Sequence, residues 1–328
     1  MNIELLSQQL VRICPTDKAE FIESIQSLWS GYGEIVRFRL LPTGETVVVK
    51  FVNPPDVRGH KYGWSGDVSH ERKLSSYQNE LAWYRETAAE CDDSCRVARL
   101  LASESEDGQW LFVMEDLDAS GFPIRTGRVN EVQLQSCLSW LASFHARFMS
   151  TSGSPGEQRG LWPIGTYWHL DTRPEEFATM PEGALKEAAE AIDEKLNNAK
   201  FRTLVHGDAK LANFCFSRTD SVAAVDFQYV GGGCGMKDVA YFISSCFDDD
   251  ECERRESELL DLYFGCLRQW IESDTLADEI EAEWRSLYSF AWADFYRFLA
   301  GWSPGHWKIH GYSRRKMELV LQRLAEST

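Results

Sequence analysis

The stretch Leu204–Gln228, LVHGDAKLANFCFSRTDSVAAVDFQ, decides how this chain is read. An apolar run leads into His206-Gly207-Asp208, Asn213 follows that aspartate by five residues, and Asp226-Phe227 closes a second apolar run. Short apolar runs punctuated by polar residues predict short strands joined by tight loops. An aspartate at the mouth of such a loop can orient and deprotonate a hydroxyl. Asn213 and Asp226 add the hard oxygens that a magnesium ion prefers. Phosphoryl transfer calls for this pairing of a base with a grip on a divalent cation. Asp and Asn also favour turns for local reasons, so it is the joint spacing, with apolar runs on both sides, that points to chemistry.

HGD-x4-N followed by DF resembles the catalytic and metal loops of the aminoglycoside phosphotransferase and choline kinase superfamily; protein kinases share the pattern with HRD in place of HGD. The resemblance implies an α+β, bilobal protein-kinase-like fold: a small antiparallel-sheet N-lobe with one long helix, and a larger, mainly helical C-lobe. It implies ATP and Mg2+ as cofactors, Asp208 as catalytic base, Asn213 and Asp226 as magnesium ligands, and Lys210 as a phosphate contact. His206 is read as support for the loop. Gln228 stands where protein kinases have glycine, which argues against a flipping switch and predicts that Gln228→Gly is tolerated. Asp238 is placed as a helix N-cap, and the resemblance adds that such an aspartate braces the catalytic loop.

The first half of the chain supplies a second half-site. Ile35–Leu41 and Thr46–Val52 flank Pro42-Thr43-Gly44 and predict an antiparallel hairpin. Lys50 ends the run VVVK, the usual place for a lysine that pairs with the α and β phosphates. Apolar positions recurring from His70 to Glu90 predict an amphipathic helix, with Glu80 inward beside Tyr77 and Tyr84. The resemblance implies that Glu80 fixes Lys50, and burying either alone would be costly. Gly31 and Gly33, in Ser30-Gly31-Tyr32-Gly33, could bring backbone N–H groups to the phosphates, or form a plain turn. The segment VMEDL resembles an adenine-binding hinge whose main chain, from Glu115 to Leu117, makes the contacts. The lobes are expected at residues 1–116 and 117–328. An N-terminal helical cap is expected before Pro15, and further strands around Val97–Ala102 and Trp110–Met114.

HERKLSSYQNELAWY, GTYWHLDTR and RFLAGWSPGHWK look similar to the ecdysteroid-kinase-like branch and its bacterial relatives, which implies transfer to a hydroxyl of a small molecule. Trp292, Asp294, Arg297, Trp302, His306 and Trp307 could wall an acceptor pocket, against the plainer reading that helical tryptophans fill the core. The segment Asn53–Val68, with Arg58, His60, Lys61 and Trp64, is a loop that either covers the nucleotide or is simply solvated. Rival acceptors are an aminoglycoside, choline, or a thiamine- or homoserine-like alcohol; a rival class is a nucleotide-binding pseudokinase that serves as an interaction module. A hydrolase using His206 and Asp208 lacks further paired ligands.

Among 328 residues, 44% are hydrophobic and 26% charged, which suits a folded chain of bilobal size. No apolar run is long enough to span a membrane, and the opening residues lack the pattern of a secretory signal, so a cytoplasmic location is expected. A net charge of −17 opposes nucleic acid as a partner and favours a cationic or neutral acceptor. The odd number of cysteines, nine and scattered, reads as reduced thiols; Cys91 and Cys95 read as packing rather than as a zinc site. Oligomeric state has no signature in the sequence.

Overall fold

Described residues of the computed structural model are 2–54, 67–150 and 153–326. The chain begins with helix α1 (Ile3–Ile13), capped by the Asn2 side chain, followed by strands β1 (Lys18–Ser27), β2 (Gly33–Leu41) and β3 (Thr46–Val52). Helix α2 (Asp67–Ala82) runs into a single π-type turn, Trp83–Thr87, before β4 (Leu100–Glu106) and β5 (Gln109–Glu115). The five strands form one antiparallel sheet in the order β1-β2-β3-β5-β4. The predicted hairpin is present. The predicted N-terminal region lacked a strand: β1 is a mostly exposed edge strand, and its sequence KAEFIESIQS carries little apolar alternation.

Because strand side chains alternate between faces, the two sides of the sheet do different jobs. Val47 and Val49 of β3, with Leu111 and Val113 of β5, pack outward under Leu6 and Leu10 of α1. Val52, Phe112 and Met114 face inward, toward α2 and the main core. Lys50 falls on this inner face.

The rest of the described chain is mainly helical: α3 (Glu131–Arg147), α4 (Pro174–Thr179), α5 (Ala184–Glu187), α6 (Ala189–Asn197), and, after four short strands, α7 (Met236–Cys246), α8 (Asp249–Arg268), α9 (Asp274–Trp302) and α10 (Gly311–Glu326). The strands are β6 (Thr203–Val205), β7 (Phe214–Phe216), β8 (Val222–Ala224) and β9 (Gly231–Gly233). They pair antiparallel as β6 with β9 and β7 with β8, and hold the two motif loops between them. β9 has no apolar side chain to betray it in sequence. The expected lobe boundary after residue 116 falls in the turn that follows β5. All nine cysteines are free, and among the described residues no helix is long and apolar enough to cross a membrane. Arg58, His60, Lys61 and Trp64 lie outside the described residues.

Candidate active site

A continuous cleft of about 1440 Å³ opens on the inner face of the sheet, and Lys50, Glu80, Asp208, Lys210, Asn213 and Asp226 all line it. Lys50 arrives by strand alternation and Glu80 by helical spacing, since Lys73, Tyr77, Glu80 and Tyr84 follow one another at four, three and four residues on α2 and share the cleft wall. Lys50 Nζ donates to Glu80 Oε2 at 2.6 Å and lies 3.9 Å from Asp226 Oδ1. Burial pushes the Glu80 pKa up, and the Lys50 ammonium works against that shift. The predicted aromatic stripe is not only packing: Tyr77 lies under the Lys50 ammonium, 5.4 Å from Nζ to the ring centroid.

Asp238 shapes the catalytic loop. It accepts from the main-chain N–H of His206 at 2.5 Å and of Gly207 at 3.0 Å, and its Oδ2 lies 3.1 Å from His145 Nε2. With its oxygens already accepting two main-chain N–H groups, Asp238 takes the His145 Nε2–H as well, and His145 takes the Tyr263 hydroxyl on Nδ1 at 2.7 Å. Asp238 is therefore a buried brace within the first turn of α7, not its N-cap, which is Gly235. Gly207 has φ +79°, and a β-carbon there would sit 2.1 Å from the Tyr229 carbonyl oxygen, so only glycine closes this loop. His206 donates from Nε2 to the Val225 carbonyl at 3.0 Å and accepts the Asp208 N–H on Nδ1 at 3.3 Å. With both ring nitrogens engaged, it supports the loop and has no site left for acid–base work.

Asp208 Oδ2 accepts from Lys210 at 2.7 Å and from Asn213 Nδ2 at 3.1 Å, while its buried Oδ1 has no hydrogen-bond partner. An unpartnered buried carboxylate oxygen costs about 1–3 kcal/mol, so this atom is set up to receive a donor from a ligand. Burial raises the Asp208 pKa, opposed by Lys210. Burial acts in the same direction on Asp226, but Lys50, Lys210 and Lys73 outweigh it and leave that carboxyl below its ordinary range. Two aspartates in one cleft are thus separated into a more basic and a more firmly ionised group. Asp226 itself takes φ +72°, a left-handed conformation that Asp tolerates better than most residues.

Magnesium fits the donor set. Asn213 commits its Nδ2 to the Asp208 carbonyl oxygen and carboxylate, so its Oδ1 remains as a ligand atom beside ionised Asp226. Among the described residues there is no cluster of three or more His, Cys, Asp or Glu. Mg2+ keeps several water or phosphate ligands and needs few from protein.

The structure separates other expected residues. Gly31 and Gly33 are not on the cleft wall; Leu28, Trp29, Ser30 and Tyr32 are. The Gly31 N–H is spent on the Leu28 carbonyl at 3.2 Å, and Gly33 is required because a β-carbon would meet the Phe51 oxygen at 2.0 Å. Turn geometry and close backbone packing account for these two glycines, as the plain-turn reading expects. Glu115 and Leu117 do line the cleft, and the Glu115 side chain is turned to Arg96 and Arg99. Trp292, Asp294 and Arg297 are core, with Asp294 holding the Trp168 indole N–H at 3.0 Å and the Arg297 guanidinium at 2.8 Å. Trp302, His306 and Trp307 reach the cleft wall, beside Phe295 and Phe298 of α9. Gln228 is no idle replacement for glycine: its Oε1 accepts from Lys73 and Ser76 at 3.0 and 3.1 Å, and its Nε2 donates to Asp226 at 2.9 Å. Lys73 and Lys308, both on the cleft wall, were missed altogether. Lys73 was legible, one helical turn before Tyr77; Lys308 had no local signal.

The profile of the phosphotransferase enzyme family matches residues 24–273. Among solved structures, an ethanolamine kinase of Plasmodium vivax superposes with a TM-score of 0.50 at 13% identity, over 94% of this chain and 81% of that one. A thermostable mutant of an aminoglycoside phosphotransferase, in ternary complex with AMP-PNP and hygromycin B, superposes with a TM-score of 0.50 at 14% identity, over 98% of this chain and 99% of that one. No curated relative matches the chain by sequence. The small antiparallel sheet joined to a mainly helical lobe is the bilobal kinase-like fold of these neighbours.

Proposed function

The chain belongs to the phosphotransferase enzyme family, and on that premise we propose that it moves the γ-phosphoryl group of ATP to a hydroxyl of a small-molecule alcohol, with Mg2+ held by Asn213 and Asp226. The observation that carries this reading is the position of Lys50, 2.6 Å from Glu80 and 3.9 Å from Asp226. A cation fixed from the sheet thereby reaches the metal motif of the helical lobe, which is what a bridged triphosphate requires. Bound magnesium would neutralise charge on the phosphates. Asp208 takes the acceptor's proton as the hydroxyl oxygen bonds to phosphorus, ADP leaves with the broken P–O bond's electrons, and Lys210 then faces the transferred group. The raised pKa of Asp208 suits a base, and its unpartnered Oδ1 is the atom that receives the hydroxyl proton. Main chain from Glu115 to Leu117 is assigned to adenine, and residues 1–116 and 117–328 to the nucleotide and acceptor lobes.

Three stretches carry the finer, ecdysteroid-kinase-like expectation, and each puts side chains on the cleft wall: Lys73 and Tyr77 from the first, Tyr167 and Arg173 from the second, Phe298, Trp302 and Lys308 from the third. An aromatic wall of this kind suits a ring-bearing alcohol. A panel of alcohols with MgATP tests the function, read by ADP release and by product mass gaining one phosphoryl group. Asp208→Asn should lower kcat by ~10²- to 10⁴-fold. Tight ATP binding with no product from any alcohol would favour the interaction-module alternative.

A further inference from the structure

Lys308 sits among aromatic side chains of the cleft wall, and it is a cation to which the transfer chemistry gives no task. Its residue is 7% exposed, on the segment between α9 and α10, and its main chain is fixed by the His306 ring and the Ser313 hydroxyl. Its Nζ lies 4.5 Å from the Tyr241 ring centroid, 5.4 Å from Phe295 and 5.5 Å from Trp307. Three aromatic faces around an ammonium make the kind of cage that recognises ammonium ligands. Here the chain's own lysine fills it.

We propose that Lys308 is a specificity-determining residue that excludes ammonium-bearing alcohols and binds an anionic group, such as a carboxylate, on the acceptor. An ammonium has three donors, and one is used on the Ser244 hydroxyl at 3.1 Å. Among the described residues no carboxylate lies within ion-pair distance of Nζ, so the remaining donors are available to an oxygen of the acceptor. Tyr241 connects this corner to the reacting end, since its phenol is flanked by both Lys308 and Asp208. An acceptor could therefore present its hydroxyl to Asp208 and its charged end to Lys308. Burial lowers the Lys308 pKa to about 8, which leaves the charged form dominant at pH 7. The net charge of −17 gave the opposite expectation, a cationic or neutral acceptor. A buried local cation outweighs that remote, screened charge.

The proposal rests on the phosphotransferase reading of this cleft, so its test separates binding from transfer. Three matched probes are 4-(hydroxymethyl)benzoate, the corresponding amide, and 4-(aminomethyl)benzyl alcohol. Binding to the full chain with AMP-PNP and Mg2+ is measured by calorimetry, and transfer from MgATP by product mass, for wild type, Lys308→Met and Lys308→Arg. Wild type should favour the carboxylate and bind the amine worst. Lys308→Met should weaken carboxylate binding by ~10- to 100-fold and strengthen the amine, while Lys308→Arg keeps the wild-type order and ATP affinity is unchanged in both. A Met variant with the wild-type order, wild type preferring the amine, or binding of none of the three would overturn the proposal. Charge-selective binding without any transfer would instead count against the phosphotransferase reading alone.

Discussion

Replacing Gln228 by glycine is the change on which the bare motif and the three-dimensional arrangement disagree most. Comparison with the protein-kinase pattern predicts tolerance. In the structure the carboxamide joins Asp226 to Lys73 and Ser76 of α2, while the Gln228 carbonyl takes the Asn79 amide and the Trp162 indole N–H. Glycine would keep the carbonyl contacts and lose all three side-chain bonds. The bond to ionised Asp226 is worth about 1.5–3 kcal/mol, and the Lys73 ammonium, whose pKa is already lowered by burial, would lose an acceptor. Allowing for water entering from the cleft, the net cost is ~2–4 kcal/mol. At roughly 1.5 °C per kcal/mol for a chain this large, Tm should fall by about 3–6 °C. The freed Asp226, at φ +72°, should also lose its orientation, lowering kcat/KM for MgATP by ~10- to 100-fold. Thermal unfolding and steady-state ADP release measure the two effects. A Tm within 1–2 °C of wild type and kcat/KM within about twofold would refute the reasoning.

Glu80→Gln should cost only ~1–3 kcal/mol of stability, less than a broken buried pair usually does, because Lys50 can turn to Asp226 at 3.9 Å; that capture should raise KM for ATP at least ~10-fold, and an unchanged KM would remove Lys50 from the nucleotide site. Glu115 supplies a pH test. Burial opposes its ionisation, but bonds from Arg96 and the Arg99 N–H hold its pKa down to about 2. A depressed carboxyl contributes stability above its unfolded pKa, and that contribution is lost as pH falls toward the folded value. With its partner Arg99 exposed and screened by solvent, this amounts to ~1–2 kcal/mol. The stability gap between wild type and Glu115→Gln, from urea unfolding, should therefore narrow between about pH 5 and pH 3; a gap constant from pH 7 to pH 3 would show that the carboxylate's charge is not what matters.

What could be read in sequence was whatever chemistry is packed into consecutive residues. Asp208, Asn213 and Asp226 share one 25-residue stretch whose spacing is fixed by the β7–β8 hairpin and by the β6–β9 pair that encloses it, so their convergence is a local property. Lys50 and Glu80 were legible for a different reason: strand and helix periods each assign a face, and two inward charges of opposite sign predict one another. The glycines before β2 stayed ambiguous because glycine answers to two demands, ligand approach and backbone crowding; the Phe51 carbonyl shows the second at Gly33. Asp294 and Arg297 stayed ambiguous for a similar reason, since a buried pair that satisfies itself has the same composition as a polar pocket wall. Lys308 was invisible because its cage is drawn from α7, α9 and its own loop, residues that only the fold brings together.

The segment after Asp226 also explains why a protein-kinase style switch does not suit this chain. Helix α2 is tied to residues 226–230 by Lys73 and Ser76 on the Gln228 side chain, and by Asn79 on the Gln228 and Val230 carbonyls. Trp83, in the π-type turn at its end, stacks on Phe227 at 4.7 Å, and Phe227 in turn lies 4.4 Å from the His206 ring. Swinging α2 outward would break four hydrogen bonds and an aromatic stack together, at about 1 kcal/mol or more for each contact. Flipping Phe227 would open the space beneath the catalytic loop itself. Lys50 therefore meets Glu80 on a helix already anchored to the metal motif. The cleft is assembled by folding, and the variable left for a ligand to decide is what occupies its aromatic end.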